Sequence, residues 1–232
     1  GGTPNTITYL GDENDTVRLA NDGVHVVFAG DGNDHITIGT NGTYYIFGEG
    51  GADHITASGD LDSSAKVYVF ADDDYGMRDY FKKTFSAKTS STQNIVTAIE
   101  SGTNFKVSNA AASLNTLVAD YTRISQTTAG RDAETVTLGG EGNINVFTGA
   151  GADKINITSD AGSTAHIYAG AGDDIINGTY NGTTTIEAGA GDDLVVLNGS
   201  GTNTVYGWGA QGESSDYARE ARLLSDDDLI FG

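Results

Sequence analysis

Cysteine is absent from the 232 residues and proline occurs once. The lack of cysteine excludes a disulfide framework and leaves the cellular compartment open. Basic residues are scarce: twelve Lys and Arg face thirty-two Asp and Glu, a formal net charge of −20. So negative a chain is a poor partner for nucleic acid or for an anionic membrane surface. No apolar run approaches the length of a transmembrane helix, so membrane insertion is not expected. No basic stretch followed by an apolar one opens the chain, so no secretory signal peptide is read there. Disorder is excluded as well, because 38% of residues are hydrophobic and they recur at fixed positions.

What is abundant is glycine, at 33 residues, and it recurs with a period. Phe28-Ala-Gly-Asp-Gly-Asn-Asp-His-Ile36 returns nineteen residues later as Phe47-Gly-Glu-Gly-Gly-Ala-Asp-His-Ile55, and nineteen earlier as Tyr9 to Val17. Aligned on this turn, Asp15, Asp34, Asp53, Glu134, Asp153, Asp174, Asp193 and Asp228 share one position. Two residues after each sits an aliphatic: Val17, Ile36, Ile55, Val136, Ile155, Ile176, Val195 and Ile230. A second aliphatic column precedes the next turn: Val27, Ile46, Val69, Val146, Ile167, Ile186 and Val205. Each unit therefore supplies two short strands between an acidic turn and a small polar one. One unit cannot bury its apolar face, whereas stacked units bury a continuous ladder. The expected fold is an all-β, right-handed parallel β-roll or β-solenoid of 19-residue coils. Extra residues, as in Ser58–Ser64 and Ser159–Ser163, are expected to fall in the polar turn, where they leave the ladders in register.

The pattern lapses between about Gly76 and Thr127, where six Lys and Arg oppose three acids; the remainder carries −23. Residues 1–75 and 128–232 read as two halves of a roll, and 76–127 as a basic insert. Thr92–Glu100 and Ala110–Asp120 have apolar spacing compatible with short helices, although Ile95–Ile99 also alternates like a strand.

Stacking places the turn carboxylates in rows at about 5 Å, where like charges repel. A hard cation between turns removes that repulsion. Ca²⁺ takes six to eight oxygen ligands from carboxylates and main-chain carbonyls, and this turn offers both. The expected ligands are Asp12, Asp15, Asp31, Asp34, Asp53, Asp153, Asp174 and Asp193 by side chain. Gly30, Gly32, Gly51, Gly149, Gly151, Gly170, Gly172, Gly189 and Gly191 would serve through exposed carbonyls. Ala71–Gly76 and Gly207–Gly212 lack the key Asp and read as degenerate turns, and Arg131 spoils the turn before Glu134.

Ala169-Gly-Ala-Gly-Asp-Asp-Ile-Ile-Asn177, Ala188–Val196 and Ala29–Thr37 match the nonapeptide G-G-x-G-x-D-x-U-x at all but its first glycine, and Thr148–Asn156 nearly so. They resemble the RTX (repeats-in-toxin, haemolysin-type) calcium-binding repeats over roughly residues 7–75 and 128–232. With a nineteen-residue period and one acidic side, the chain is similar to the one-sided variant of large bacterial adhesins. That resemblance implies several Ca²⁺ ions in single file and type I secretion of an unfolded chain that folds on Ca²⁺ outside the cell. It further implies a place in a larger secreted adhesin or surface protein.

Among the adhesins that the repeats resemble, one binds ice through Thr inside the calcium turn; here that position reads Asp12, Asp31, Gly50, Arg131, Ala150, Ala171 and Ala190, so there is no Thr row and ice binding is not expected. A third column, Tyr9, Phe28, Phe47, Phe70, Phe147, Tyr168 and Tyr206, broken by Glu187, points away from the core by strand alternation. It either stiffens the roll by stacking, or forms a platform covered by the basic insert or used by a glycan or a partner protein. His35 and His54 share a column and read as a solvated outer row. No nucleophile elbow and no His–carboxylate metal signature is present, so the chain itself is not expected to be an enzyme. An enzyme or toxin domain could accompany such a module outside this chain.

Overall fold

The structure is a computed structural model that describes residues 6–72, 105–107, 110–112, 132–207 and 229–231. Among these residues every regular element is a strand. One sheet holds β1 (Thr6–Tyr9), β3 (Val24–Asp31), β5 (Thr43–Gly50), β7 (Lys66–Phe70), β11 (Asn143–Ala150), β13 (Thr164–Ala171), β15 (Thr183–Ala190) and β17 (Thr202–Tyr206), in that spatial order. The other holds β2 (Thr16–Arg18), β4 (His35–Ile38), β6 (His54–Ala57), β10 (Thr135–Gly140), β12 (Lys154–Ser159), β14 (Ile175–Tyr180), β16 (Leu194–Asn198) and β18 (Leu229–Phe231). All pairings within these two sheets are parallel, so each coil gives one strand to each sheet and the chain forms a β-solenoid of about 7 turns.

The two aliphatic columns become the two walls of the core. Ile36, Ile55, Val136, Ile155, Ile176 and Val195 lie in register on one sheet and Val27, Ile46, Val69, Val146, Ile167 and Ile186 on the other, all fully buried in one cluster. Val17 and Val205, near the two ends, are only partly buried, and Ile230 on β18 is 46% exposed. Burying a large aliphatic side chain contributes about 1.5–3 kcal/mol. Truncation in mid-ladder also leaves a cavity, so Ile167→Ala should cost about 2–5 kcal/mol in a denaturant titration.

Extra residues fall in the polar turns, as expected. The longer segment between β6 and β7 turns Leu61 into the core, where it is buried and bridges to Gly140, and Asp160–Ser163 lengthens the turn between β12 and β13. At the standard polar turns Asn side chains staple one coil to the next: Asn21 Oδ1 accepts the Thr40 N–H at 2.8 Å and Asn181 Oδ1 that of Ser200 at 3.1 Å. Tyr44 closes this side of the core, fully buried, its hydroxyl 2.9 Å from the Ala20 carbonyl oxygen.

The large interruption behaves differently. β7 pairs directly with β11 (Val69 with Val146, Phe70 with Phe147) and β6 with β10 (Ile55 with Val136). Coil stacking is thus continuous across it, and the two halves read from the sequence make one solenoid. The register holds through Asp72 and resumes at Asp132, so Ala71–Asp72 and Asp132–Glu134 are the two halves of a single acid turn. Read from sequence, they are two separate degenerate turns. Within the interruption, Ala110–Ala112 is a strand (β9), antiparallel to Phe105–Val107 (β8), where helical spacing pointed to a helix. The other expected helix, Thr92–Glu100, and the remainder of Ala110–Asp120 lie outside the described residues.

Candidate metal centre

The acid turns line one long side of the solenoid, and glycine conformation shapes them. Gly30, Gly149, Gly170 and Gly189 hold φ of 105° to 110°, and Gly32, Gly51, Gly172 and Gly191 hold 112° to 137°. Both values lie where side chains are strained. The second column also packs too closely for a side chain. A Cβ on Gly51, Gly172 or Gly191 would collide with the carbonyl oxygen of Gly32, Gly151 or Gly172 in the preceding coil, and one on Gly151 with that of Asp132. Carbonyl oxygens of one turn therefore face the next turn along the roll. The fourth coil carries Asp72 at the first of these positions, and Glu49 stands opposite Gly30 at a φ of 71°.

The carboxylates form a buried row. Asp34, Asp53, Asp153, Asp174 and Asp193 are each 1% exposed and Glu134 is fully buried. Each aspartate reaches back by one oxygen to the coil before it. Asp34 Oδ1 accepts the Asp15 N–H at 2.7 Å, and Asp53 Oδ1 that of Asp34 at 2.9 Å. Asp153 Oδ1 accepts from Glu134 at 3.0 Å, Asp174 Oδ1 from Asp153 and Asp193 Oδ1 from Asp174 at 2.9 Å. A second ladder runs the other way beside it: Asn14 Oδ1 accepts the Asn33 N–H at 2.8 Å and Asp173 Oδ1 that of Asp192 at 3.0 Å. Not every second oxygen is used in this way. Oδ2 of Asp53, Asp153 and Asp174, and both carboxyl oxygens of Glu134, are buried without a hydrogen-bond partner.

That arrangement is costly for an ionised carboxylate, and the acidities follow. Burial, with neighbouring carboxylates adding to it, pushes Asp53 up to about 8 and Asp174 up to about 9. Glu134 and Asp153 are likewise raised, first by burial; for Glu134 the adjoining Asp153 carboxyl adds to the effect. Held this way, the row is neutral only if it is protonated or if a cation replaces the protons.

The structure sorts the residues expected from sequence. Asp34, Asp53, Asp153, Asp174 and Asp193, with the turn glycines, come together in the row, and Asp15 joins its partly open end, where its Oδ2 accepts the Gly11 N–H at 3.0 Å. Asp12 and Asp31 do not: both are exposed, and Asp31 stands opposite Gly50 on the outer rim of the turn. Asp72 and Asp132 were missed. Across the interruption, Asp72 Oδ2 accepts the Ala150 N–H at 3.0 Å and Asp132 Oδ2 that of Gly51 at 3.2 Å. The sequence signal was an upper strand ending at Phe70 without a lower partner and a lower strand starting at Thr135 without an upper one. Among the described residues no three His or acidic side chains converge as a ready-made metal centre. Any cation site here is built from one carboxylate per coil and main-chain carbonyls. His35 and His54 do sit side by side, ring centroids 4.7 Å apart, on the exposed face of the second sheet. No protein-family model, no curated protein and no solved structure matches the chain.

Proposed function

We propose that the acid turns take up Ca²⁺ between successive coils, and that the chain is an RTX-type calcium-dependent β-roll. In this reading it is a segment of a larger bacterial surface protein, an adhesin in the first instance, that folds outside the cell. The observation that carries it is the row of buried carboxylate oxygens without hydrogen-bond partners, at Asp53, Glu134, Asp153 and Asp174, beside turns whose carbonyls face one another. The donor set is entirely oxygen, from carboxylates and backbone, which suits a hard cation with a flexible coordination shell. Mg²⁺ fits poorly, since it demands near-octahedral geometry and sheds water reluctantly.

The chemistry also supports the proposed route. Metal binding of this kind is folding free energy, because the ligands come together only in the roll. At low cytosolic Ca²⁺ the acid rows would repel and the chain would stay open for export; millimolar Ca²⁺ outside would close it.

Chelation tests the reading. At pH 8, EDTA should abolish most of the far-UV strand signal, Ca²⁺ should restore it with several ions bound per chain, and Mg²⁺ at equal concentration should not. A spectrum unchanged after complete chelation would falsify the calcium reading. The platform reading for glycans needs open rings, and Phe28, Phe47, Phe70 and Phe147 are at most 2% exposed.

A further inference from the structure

The outer face of the second sheet differs in chemistry from the rest of the roll. None of its eight strands contains an acidic residue, on a chain of formal net charge −20. The first sheet, by contrast, carries Asp31, Glu49 and Glu187. On the acid-free face an open groove of about 270 Å³ crosses β10, β12, β14 and β16. Its walls are Thr137, Asn156, Thr158, Asn177, Thr179 and Asn198, all neutral and all able to hydrogen-bond. Leu138 and Ile157 turn their side chains into the core, so they offer the groove only main chain.

Register makes this lining repeat. Asn156 pairs with Asn177 and Thr158 with Thr179 across β12 and β14, and Thr179 pairs with Asn198 on β16. Strand alternation puts the Asn and the Thr of each strand on one face, two residues apart. Each of these coils thus presents an amide and a hydroxyl about 4.8 Å beyond those of the last. Among the described residues, nothing hydrogen-bonds the side chains of Asn156, Thr158, Asn177 or Thr179. The asparagines of the polar turns are different: Asn21 and Asn181 are engaged in stapling coils together. Asn198 is tied more loosely, its Nδ2 donating to the Gly178 carbonyl oxygen at 3.3 Å. Beside the groove runs an apolar strip, in which Ile175 is 41% exposed and Leu194 and Val196 on the next strand are half-buried.

We infer that this groove binds a neutral glycan lying along the roll axis. The lining holds no charge, so it selects neither an anion nor a cation. Amides and hydroxyls donate and accept together, as the vicinal hydroxyls of a sugar require. The apolar strip takes the C–H face of a sugar ring. Small-ligand sites span about 300–1,000 Å³, so this one sits at the small end, and its openness suits a few units of a chain. A polymer that repeats one hydroxyl pattern meets matching groups in successive coils. An extended peptide lacks an equivalent hold: it docks by adding to a free sheet edge, and β12 and β14 are paired on both sides. The site stands on the fold alone and does not rest on the Ca²⁺ reading.

The test uses the whole chain, ¹⁵N-labelled and with Ca²⁺ present. The probes are linear neutral oligosaccharides of glucose, mannose or galactose; an oligogalacturonate of the same length is the charged control and an uncharged peptide the peptide control. At millimolar probe, the side-chain amide signals of Asn156 and Asn177 should shift with at least one neutral glycan and with neither control. Asn156→Ala with Asn177→Ala should weaken that binding about tenfold or more. The far-UV strand signal should be unchanged, since these side chains hold nothing in the protein. Thr37→Ala with Thr56→Ala, on the same face but in other coils, should leave the affinity as it was. No shift with any neutral glycan overturns the inference. So does a stronger response to the oligogalacturonate or the peptide, or full affinity in the folded Asn156 and Asn177 variant.

Discussion

Gly172→Ala should destabilise the roll by about 4 kcal/mol or more, a loss in the range reserved for backbone and packing failures. Two costs combine there. Gly172 holds φ at +137°, and a Cβ would strike the Gly151 carbonyl oxygen of the coil before it. Neither can be relieved locally, since Gly172 N–H is bonded to the Ala190 carbonyl at 2.7 Å and the coil is pinned on both sides. Gly162 provides the control. It also has positive φ, 93°, but sits in a polar turn where an added Cβ meets nothing within 4 Å. Gly162→Ala should cost only the left-handed penalty, about 1–2 kcal/mol. Chemical denaturation of the pair, with Ca²⁺ present, separates backbone strain from the close stacking of acid turns. Equal losses in the two variants would mean that the stacking contributes nothing.

Without divalent cations, the chain should lose several kcal/mol of stability as pH rises from about 4 to about 9. The sign follows from linkage. In the unfolded chain an Asp titrates near 3.9; in the roll Asp53 is raised to about 8 and Asp174 to about 9. Between those values the folded state holds protons that the unfolded state has released, so stability falls with rising pH. It is full below about pH 4 and is gone once the folded groups ionise, past about 8 for Asp53 and about 9 for Asp174. Each unit of separation is worth about 1.4 kcal/mol. With Ca²⁺ bound, the slope should reverse: protons then compete with the metal, and acidification is what unfolds the roll. Thermal melts from pH 4 to 9 in EDTA and in millimolar Ca²⁺ check this. Parallel profiles in the two buffers would sink the idea that protons and metal contend for one row.

Much of the fold was legible because the period is long and regular. Nineteen residues carry Val27 onto Ile46 and Ile36 onto Ile55, and in-register stacking turns that constancy into two walls. Ligand-like Asp34, Asp53, Asp153, Asp174 and Asp193 were visible for the same reason. Asp12 and Asp31 were acidic and in the turn, yet both stand exposed on its rim; composition alone does not report which way a turn residue faces. Asp72 and Asp132 were invisible as a pair, because a turn split by an insertion has no local signature. The aromatic column was correctly placed opposite the core. Its burial was not legible, since it depends on what lies across the sheet and not on the sheet's own sequence.

The stacking geometry has a mechanical consequence. Strands run across the roll, so consecutive coils advance by only about 4.8 Å, while nineteen residues drawn straight reach about 63–68 Å. A pull on the two ends meets the inter-coil bonds one coil at a time, as in peeling tape, and never loads all the coils together. Each coil that lets go lengthens the tether by roughly 60 Å and leaves the next one intact. Under tension such a solenoid is a shock absorber with discrete steps, and the coil split at Asp72 and Asp132 has the longest reserve of chain to pay out.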